Sequence, residues 1–196
     1  MRVPKFVFVA AGALVVAASG LGPVTAAEVY VLDQKHTYIT FIHDRMGYTN
    51  ILGRFDRYEG EIVFDEEDLA NSSVSVTIFT NSLSTGYARR DEDLIGPNFF
   101  NAKEFPEITF KSTKVVATGP KTGKITGDLT LLGVTKPVTL DVTFNKKAPS
   151  PRNKKIFIGF AAEGEFNRVD YGMTYLTNGD VQMVGLRLEV LAVLKE

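Results

Sequence analysis

The 196-residue chain has no cysteine, no tryptophan and only two histidines. Zero cysteine excludes disulfides, thiolate catalysis and a lipidated N-terminal cysteine, so the fold must hold by its core alone. The histidines, His36 and His43, would point to opposite faces if one strand carried both, which disfavours a shared metal site; His36 is expected in the turn before the strand, and no further ligands accompany either. An excess of one charge is also missing, with 22 basic against 23 acidic residues, so the composition is neither that of a nucleic-acid binder nor that of a disordered chain. No Ser, His and acid grouping suggests nucleophilic catalysis. Several short patterns are decoys. Gly119 to Lys124 reads GPKTGK, one residue short of a phosphate-binding loop, and it enters a strand where such a loop needs a helix. Asp65-Glu66-Glu67-Asp68 lacks the ligand spacing and glycine of a calcium loop and reads as a solvated turn. Asn71-Ser72-Ser73 matches a glycosylation acceptor only in a form short enough to arise by chance.

The first residues differ in kind from the rest. Arg2 and Lys5 precede the apolar run Phe6 to Ser19, which is shorter than the roughly 20 residues a membrane-spanning helix needs. Val24-Thr25-Ala26-Ala27 then supplies the small residues a signal peptidase accepts, so residues 1–27 read as a secretory signal peptide cut after Ala26 or Ala27. Its removal takes the 22 basic residues down to 20 against 23 acidic ones, a net charge of −3. The expected product is a soluble exported domain over residues 28–196, periplasmic or, as the alternative, secreted.

What the chain has in abundance is alternation. Ile125, Leu129 and Leu131, then Val138, Leu140, Val142 and Phe144, alternate with Thr126, Asp128, Thr130, Thr139, Asp141 and Thr143, the period of two that marks strands with one apolar face. The same beat places strands from about Tyr38 to Arg45, Gly53 to Phe64, Ser73 to Thr80, and from Pro106 through Ile108 and Phe110. Two more run from Ile156 to Phe166 and from Val184 to Val190, the last after an Asn178-Gly179 turn signal. Phe55 falls out of phase with Tyr58, Gly60, Ile62 and Phe64, which calls for a bulge near Asp56 or Arg57. Pro137 is expected where a strand begins, a position that tolerates it. Between Asn81 and Asn101 the beat is lost, and one short helix is predicted around Arg89-Arg90-Asp91-Glu92-Asp93. Eight antiparallel strands and one helix admit a two-sheet sandwich or a closed up-and-down barrel; the short connections favour closure, and an eight-stranded barrel can hold one small ligand.

Polar candidates are sparse. His43, in phase with Ile39 and Phe41, is either a rim or core histidine satisfied by one hydrogen bond or a polar group facing a ligand. Arg90 and Asp91 belong either to a solvated helix face, on which Arg89 and Asp93 are neighbours, or to the barrel mouth, touching charged partners or a polar ligand head. Arg168 and Asp170 allow the same two readings.

Several segments together resemble the YceI-like family, bacterial periplasmic proteins that bind polyisoprenoid lipids. They are His36-Thr37-Tyr38-Ile39-Thr40-Phe41, Gly53-Arg54-Phe55, Gly60 to Asp65, Ser82 with Arg90-Asp91 and Leu94, and Phe99-Phe100 with Phe105-Pro106. Gly127-Asp128-Leu129-Thr130-Leu131 and Gly133-Val134-Thr135-Lys136-Pro137-Val138 carry the strongest likeness, and Arg168 with Asp170-Tyr171-Gly172 completes it. One departure is Arg45, where the family often has histidine. The resemblance implies an all-β, eight-stranded, lipocalin-like antiparallel barrel with an apolar lumen around a long isoprenoid tail such as that of a quinone. No catalytic group and no required cofactor are expected, only the bound polyisoprenoid or isoprenoid quinone as ligand. Lumen candidates are the in-phase apolar residues Ile39, Phe41, Ile62, Phe64, Val76, Ile78, Phe110, Leu129, Leu131, Leu140, Val142, Ile158, Phe160, Leu186 and Leu188, although a filled barrel would use the same residues as plain core. His43, Arg90, Asp91, Arg168 and Asp170 are the candidate head-group contacts. Expected partners are a long-chain lipid, with transient membrane contact and a dimer admitted and no nucleic acid. The rival reading is a filled-barrel interaction module acting on an envelope or electron-transfer partner.

Overall fold

A computed structural model describes residues 27–177 and 182–196. The expected signal peptide, Ala27 apart, and the Asn178-Gly179 turn lie outside them. Eleven strands form one antiparallel sheet: β1 (Glu28–Leu32), β2 (Tyr38–Asp44), β3 (Asn50–Phe55), β4 (Tyr58–Phe64), β5 (Ser73–Phe79), β6 (Leu83–Ser84), β7 (Glu107–Ala117), β8 (Thr122–Leu131), β9 (Val134–Pro149), β10 (Ile156–Asn167) and β11 (Met183–Leu194). Among the described residues a single α-helix, α1, spans Ala88–Ile95.

The first six strands are three long staves, each broken once. β1 pairs with β4 while β2 pairs with β3, so the first two staves form one interrupted hairpin. β5 pairs with β4 and β6 with β3. From there β5, β7, β8, β9, β10 and β11 pair in succession, and β11 returns to β1 through Tyr30 opposite Leu194 and to β2 through Leu186 opposite Phe41. The result is a closed, eight-stave, up-and-down barrel with one helix, which abolishes sheet edges.

The breaks have identifiable causes. Asp56 and Arg57 separate β3 from β4 and restore the phase between buried Phe55 and buried Tyr58, at the place where the sequence demands an extra residue. Between β1 and β2 the chain turns at Asp33–His36, and Thr37 takes over the ladder: its hydroxyl accepts from the Leu191 N–H at 3.0 Å and donates to the Leu191 carbonyl at 2.9 Å. Between β5 and β6 a 3₁₀ turn at Thr80–Ser82 buries Thr80, whose hydroxyl donates to the Phe105 carbonyl.

Two sequence expectations need correction. β1 is not foreseen, because five residues with apolar side chains on both faces carry no alternation to read. β9 begins at Val134, so Pro137 sits inside the strand. Leu132 (φ 52°) and Gly133 (φ 74°) form a two-residue hairpin turn of the primed kind, and pairing with β8 starts at once with Leu131 opposite Val134. Pro137 is tolerated because β9 pairs with β10 only from Leu140 onward, leaving the proline's missing N–H on an unpaired side.

Candidate functional site

The inward faces of the barrel enclose a cavity of about 350 Å³ bordered almost wholly by aliphatic and phenyl groups. Its two ends differ. At one end Phe41, Phe55 and Phe100 pack with ring centroids 5.6–6.2 Å apart, with Ile108, Leu131 and Val184 buried around them. Among the described residues, the loops at that end do not border the cavity beyond Phe100. At the other end Phe64, Phe144 and Phe160 form a half-buried ring cluster with centroids 5.7–6.1 Å apart. There loop residues Glu66, Leu69, Gly119, Pro120 and Lys121 do border the cavity, so this end is the mouth. Along β9 the wall runs from Val138 to Phe144, about 20 Å at roughly 3.3 Å per residue.

Every lumen candidate except Ile158 borders the cavity: Ile39, Phe41, Ile62, Phe64, Val76, Ile78, Phe110, Leu129, Leu131, Leu140, Val142, Phe160, Leu186 and Leu188. Ile158 faces inward but is fully buried, between its cross-strand neighbours Ala192 and Lys147. It is wall, not lining.

The polar candidates all fall at the closed end. Arg168 is 4% exposed, and its guanidinium donates to the carbonyls of Met173, Tyr175 and Leu176, stapling the loop that follows β10. Half-buried His43 lies close enough to Arg168 that burial first, and the guanidinium charge second, hold its pKa below the usual value. Its Nδ1 and the hydroxyl of Tyr171 are buried without a hydrogen-bond partner among the described residues. Arg90 and Asp91 grip Thr85: the arginine donates to the Thr85 hydroxyl and carbonyl, and the carboxylate accepts from the Thr85 N–H at 2.8 Å. They anchor α1 to the chain after β6 and do not border the cavity. Asp170 is exposed. Arg89 and Asp93, neighbours on α1, form no ion pair there.

The mouth carries a polar group the sequence does not announce. Lys147 donates to Glu28 at 2.6 Å and to Glu66 at 2.9 Å, with its ammonium 6.0 Å from the centroid of the Phe64 ring. The Tyr30 hydroxyl donates to Glu28 at 2.7 Å. These bonds hold the Glu28 carboxyl below its ordinary pKa and Lys147 above its own, while burial first and the Glu28 carboxylate second push Tyr30 up to about 12. Strict alternation after Phe144 aims Lys146 inward. A bulge at Asn145 instead places Phe144 opposite Phe160 and Lys147 opposite Ile158, so Lys147 takes the inward face. Glu28 sits opposite Phe64 on the unforeseen β1. Among the described residues no cluster of three or more His, Cys, Asp or Glu side chains is placed to hold a metal ion.

Barrel and cavity together define a lipocalin-like class, a closed antiparallel barrel around an apolar interior. The chain belongs to the YceI-like family, whose domain matches residues 30–195. A UPF0312 protein of Vibrio parahaemolyticus is 44% identical over 117 residues, a match covering 59% of this chain and 62% of that protein, just under two thirds of its length. Protein YceI of Salmonella arizonae is 39% identical over 155 residues, 78% of this chain and 80% of that one. Among solved structures, the Campylobacter jejuni YceI protein shares 32% identity with a TM-score of 0.68, covering 78% of this chain and 90% of that one. A polyisoprenoid binding domain from Saccharophagus degradans matches in fold at 14% identity, TM-score 0.62, over 86% of this chain and 99% of that one.

Proposed function

We propose that this protein is a non-enzymatic carrier that holds a polyisoprenoid or another long-chain amphiphile, isoprenoid quinones among them, inside its barrel. The observation that carries the reading is the continuous apolar cavity, bordered by loop residues at the end where Phe64, Phe144 and Phe160 cluster. A hydrocarbon tail gains roughly 25 cal/mol per Å² of surface removed from water, and an apolar tube offers that gain to a linear molecule inserted tail first. An extended isoprene unit, four skeletal carbons joined by bonds of about 1.5 Å, spans about 5 Å. Strands of a closed barrel tilt by roughly 35–45°, so a wall about 20 Å long along the strand gives about 15 Å of depth and accepts about three units, and affinity rises with tail length until the tube is full. Membership of the YceI-like family and the name of the Saccharophagus degradans neighbour support the ligand class. A lumen that retains space supports a carrier over a filled-barrel interaction module.

Among the described residues neither end supplies a nucleophile, base and oxyanion-donor constellation, and shielding of the tail, not chemistry on it, is the function assigned. The periplasm is the proposed site of action, in line with the exported leader read from Arg2 to Ala27. The test is solvent extraction of the purified protein followed by lipid mass spectrometry. A long-tail isoprenoid in the extract, or stoichiometric uptake of an added long-tail quinone, is expected. A repeatedly empty extract with no uptake overturns the proposal.

A further inference from the structure

The mouth cluster contains a feature that neither the fold nor the apolar wall requires. Lys147 points inward at the rim, 23% exposed, and is gripped from two unlike sides. Glu28 is fixed in the wall on β1, 29% exposed, and is held in turn by the Tyr30 hydroxyl. Glu66 comes from the turn between β4 and β5 and is 64% exposed. The wall carboxylate therefore orients the ammonium, while the loop carboxylate can leave it at small cost, as exposed ion pairs do. A shallow recess at the same rim is bordered by Glu66, Lys121, Lys146 and Lys147. Among the described residues Lys121 and Lys146 enter no ion pair. With Glu66 swung aside, Lys147 keeps one carboxylate partner, Glu28, and Lys121 and Lys146 border the same recess.

We propose that Lys147, flanked by Lys121 and Lys146, is the binding site for an anionic head group, a phosphate or carboxylate, of the amphiphile whose tail fills the lumen, and that Glu66 occupies this site as a built-in competitor until the ligand arrives. This rests on the carrier reading above, since only a tail in the lumen delivers its head to the rim. The carboxylate of Glu66 already shows the geometry an anion adopts on the ammonium, a charge-assisted hydrogen bond of 2.9 Å beside the Phe64 ring. The tube ends there, so the head of an inserted amphiphile reaches the same place. Displacement of Glu66 also releases the tie that holds the Asp65–Ser72 turn to β9, which couples head-group binding to a change at the mouth.

The test compares two probes with one tail, farnesyl monophosphate and farnesol, by titration into the full mature chain. The parent is expected to bind the phosphate about tenfold or more tightly than the alcohol, the range that charge-assisted hydrogen bonds supply. In Lys147→Met the ratio of the two affinities is expected to fall to near one. In Glu66→Gln, an exposed change that leaves the fold in place, the phosphate preference is expected to rise severalfold. Inorganic phosphate at equal concentration is expected not to displace the farnesyl phosphate. Equal affinity for the two probes in the parent, an unchanged ratio in both variants, or displacement by inorganic phosphate overturns this inference and leaves the carrier standing. Uptake of neither probe overturns the carrier and the head-group site together.

Discussion

Replacing Phe160 by aspartate places a carboxylate in the phenyl cluster just inside the mouth, on wall that a tail must cover. In the empty barrel the cost is confined to the ring: Phe160 packs against Phe64 at 5.9 Å and Phe144 at 5.7 Å, and two such contacts are worth roughly 1–3 kcal/mol together. The introduced carboxylate stays hydrated there, because Phe160 is only half-buried and the cavity reaches solvent through the mouth. With a tail bound, that water is displaced, and the Lys147 ammonium at the same end is already held by Glu28 and Glu66. Burying an unpaired polar group costs at least about 2 kcal/mol, so tail affinity falls by roughly 30-fold or more at neutral pH. The complex favours the neutral acid, so the introduced carboxyl has a higher pKa with the tail bound than without it. Affinity therefore recovers below the free-state pKa and is lost as pH rises through the bound-state pKa. The assay is farnesol titration of Phe160→Asp and Phe160→Leu between about pH 4 and 8, with circular dichroism to establish that both are folded. Binding of Phe160→Asp within twofold of the parent, independent of pH, would refute the placement of Phe160 in a tail-covered wall.

Three further outcomes follow from the same geometry. Ile158→Ala is expected to cost about 2–4 kcal/mol of stability by denaturant unfolding, with farnesol affinity unchanged, since Ile158 is buried wall and does not border the cavity. Arg168→Met removes the donors to three loop carbonyls, and limited proteolysis is expected to cut first within residues 168–177. The folded-state pKa of Glu28 is depressed, so its contribution is fully present above the ordinary carboxylate pKa and disappears as pH falls through the lowered value. Glu28→Gln should therefore flatten the acid limb of the Tm-versus-pH curve, and a limb identical to the parent's would contradict the ion pair.

The apolar wall was legible because its signal is local. Alternation in Ile125–Leu131 and Val138–Phe144 needs no partner to be recognised, and once eight such segments are counted, closure leaves their apolar faces a single interior. The phase slip at Phe55 was legible for the same reason, since a break in a period is visible along one strand. The rim was not. Lys147 faces inward only because Asn145 is an extra residue opposite β10, and a bulge beyond the end of the apolar beat leaves no later residues in which a slip would show. Glu28 and Tyr30 lie on β1, five residues whose two faces read alike. The sequence therefore suggests Arg90, Asp91, Arg168 and Asp170 as polar contacts by their charge density, whereas the structure uses the two arginines and Asp91 as staples between neighbouring segments. Density of charge along the chain does not disclose which end of a barrel it occupies.

The seam between the first and last strands sets the order in which this molecule comes into being. Tyr30 meets Leu194 and Phe41 meets Leu186, so the wall stays incomplete until the C-terminal strand is in place. Contacts that far apart in sequence form late and slowly. An unfinished chain has no lumen to fill. Loading must therefore follow completion of the chain, and loss of β11 alone is enough to leave a sheet with two open edges and no inside.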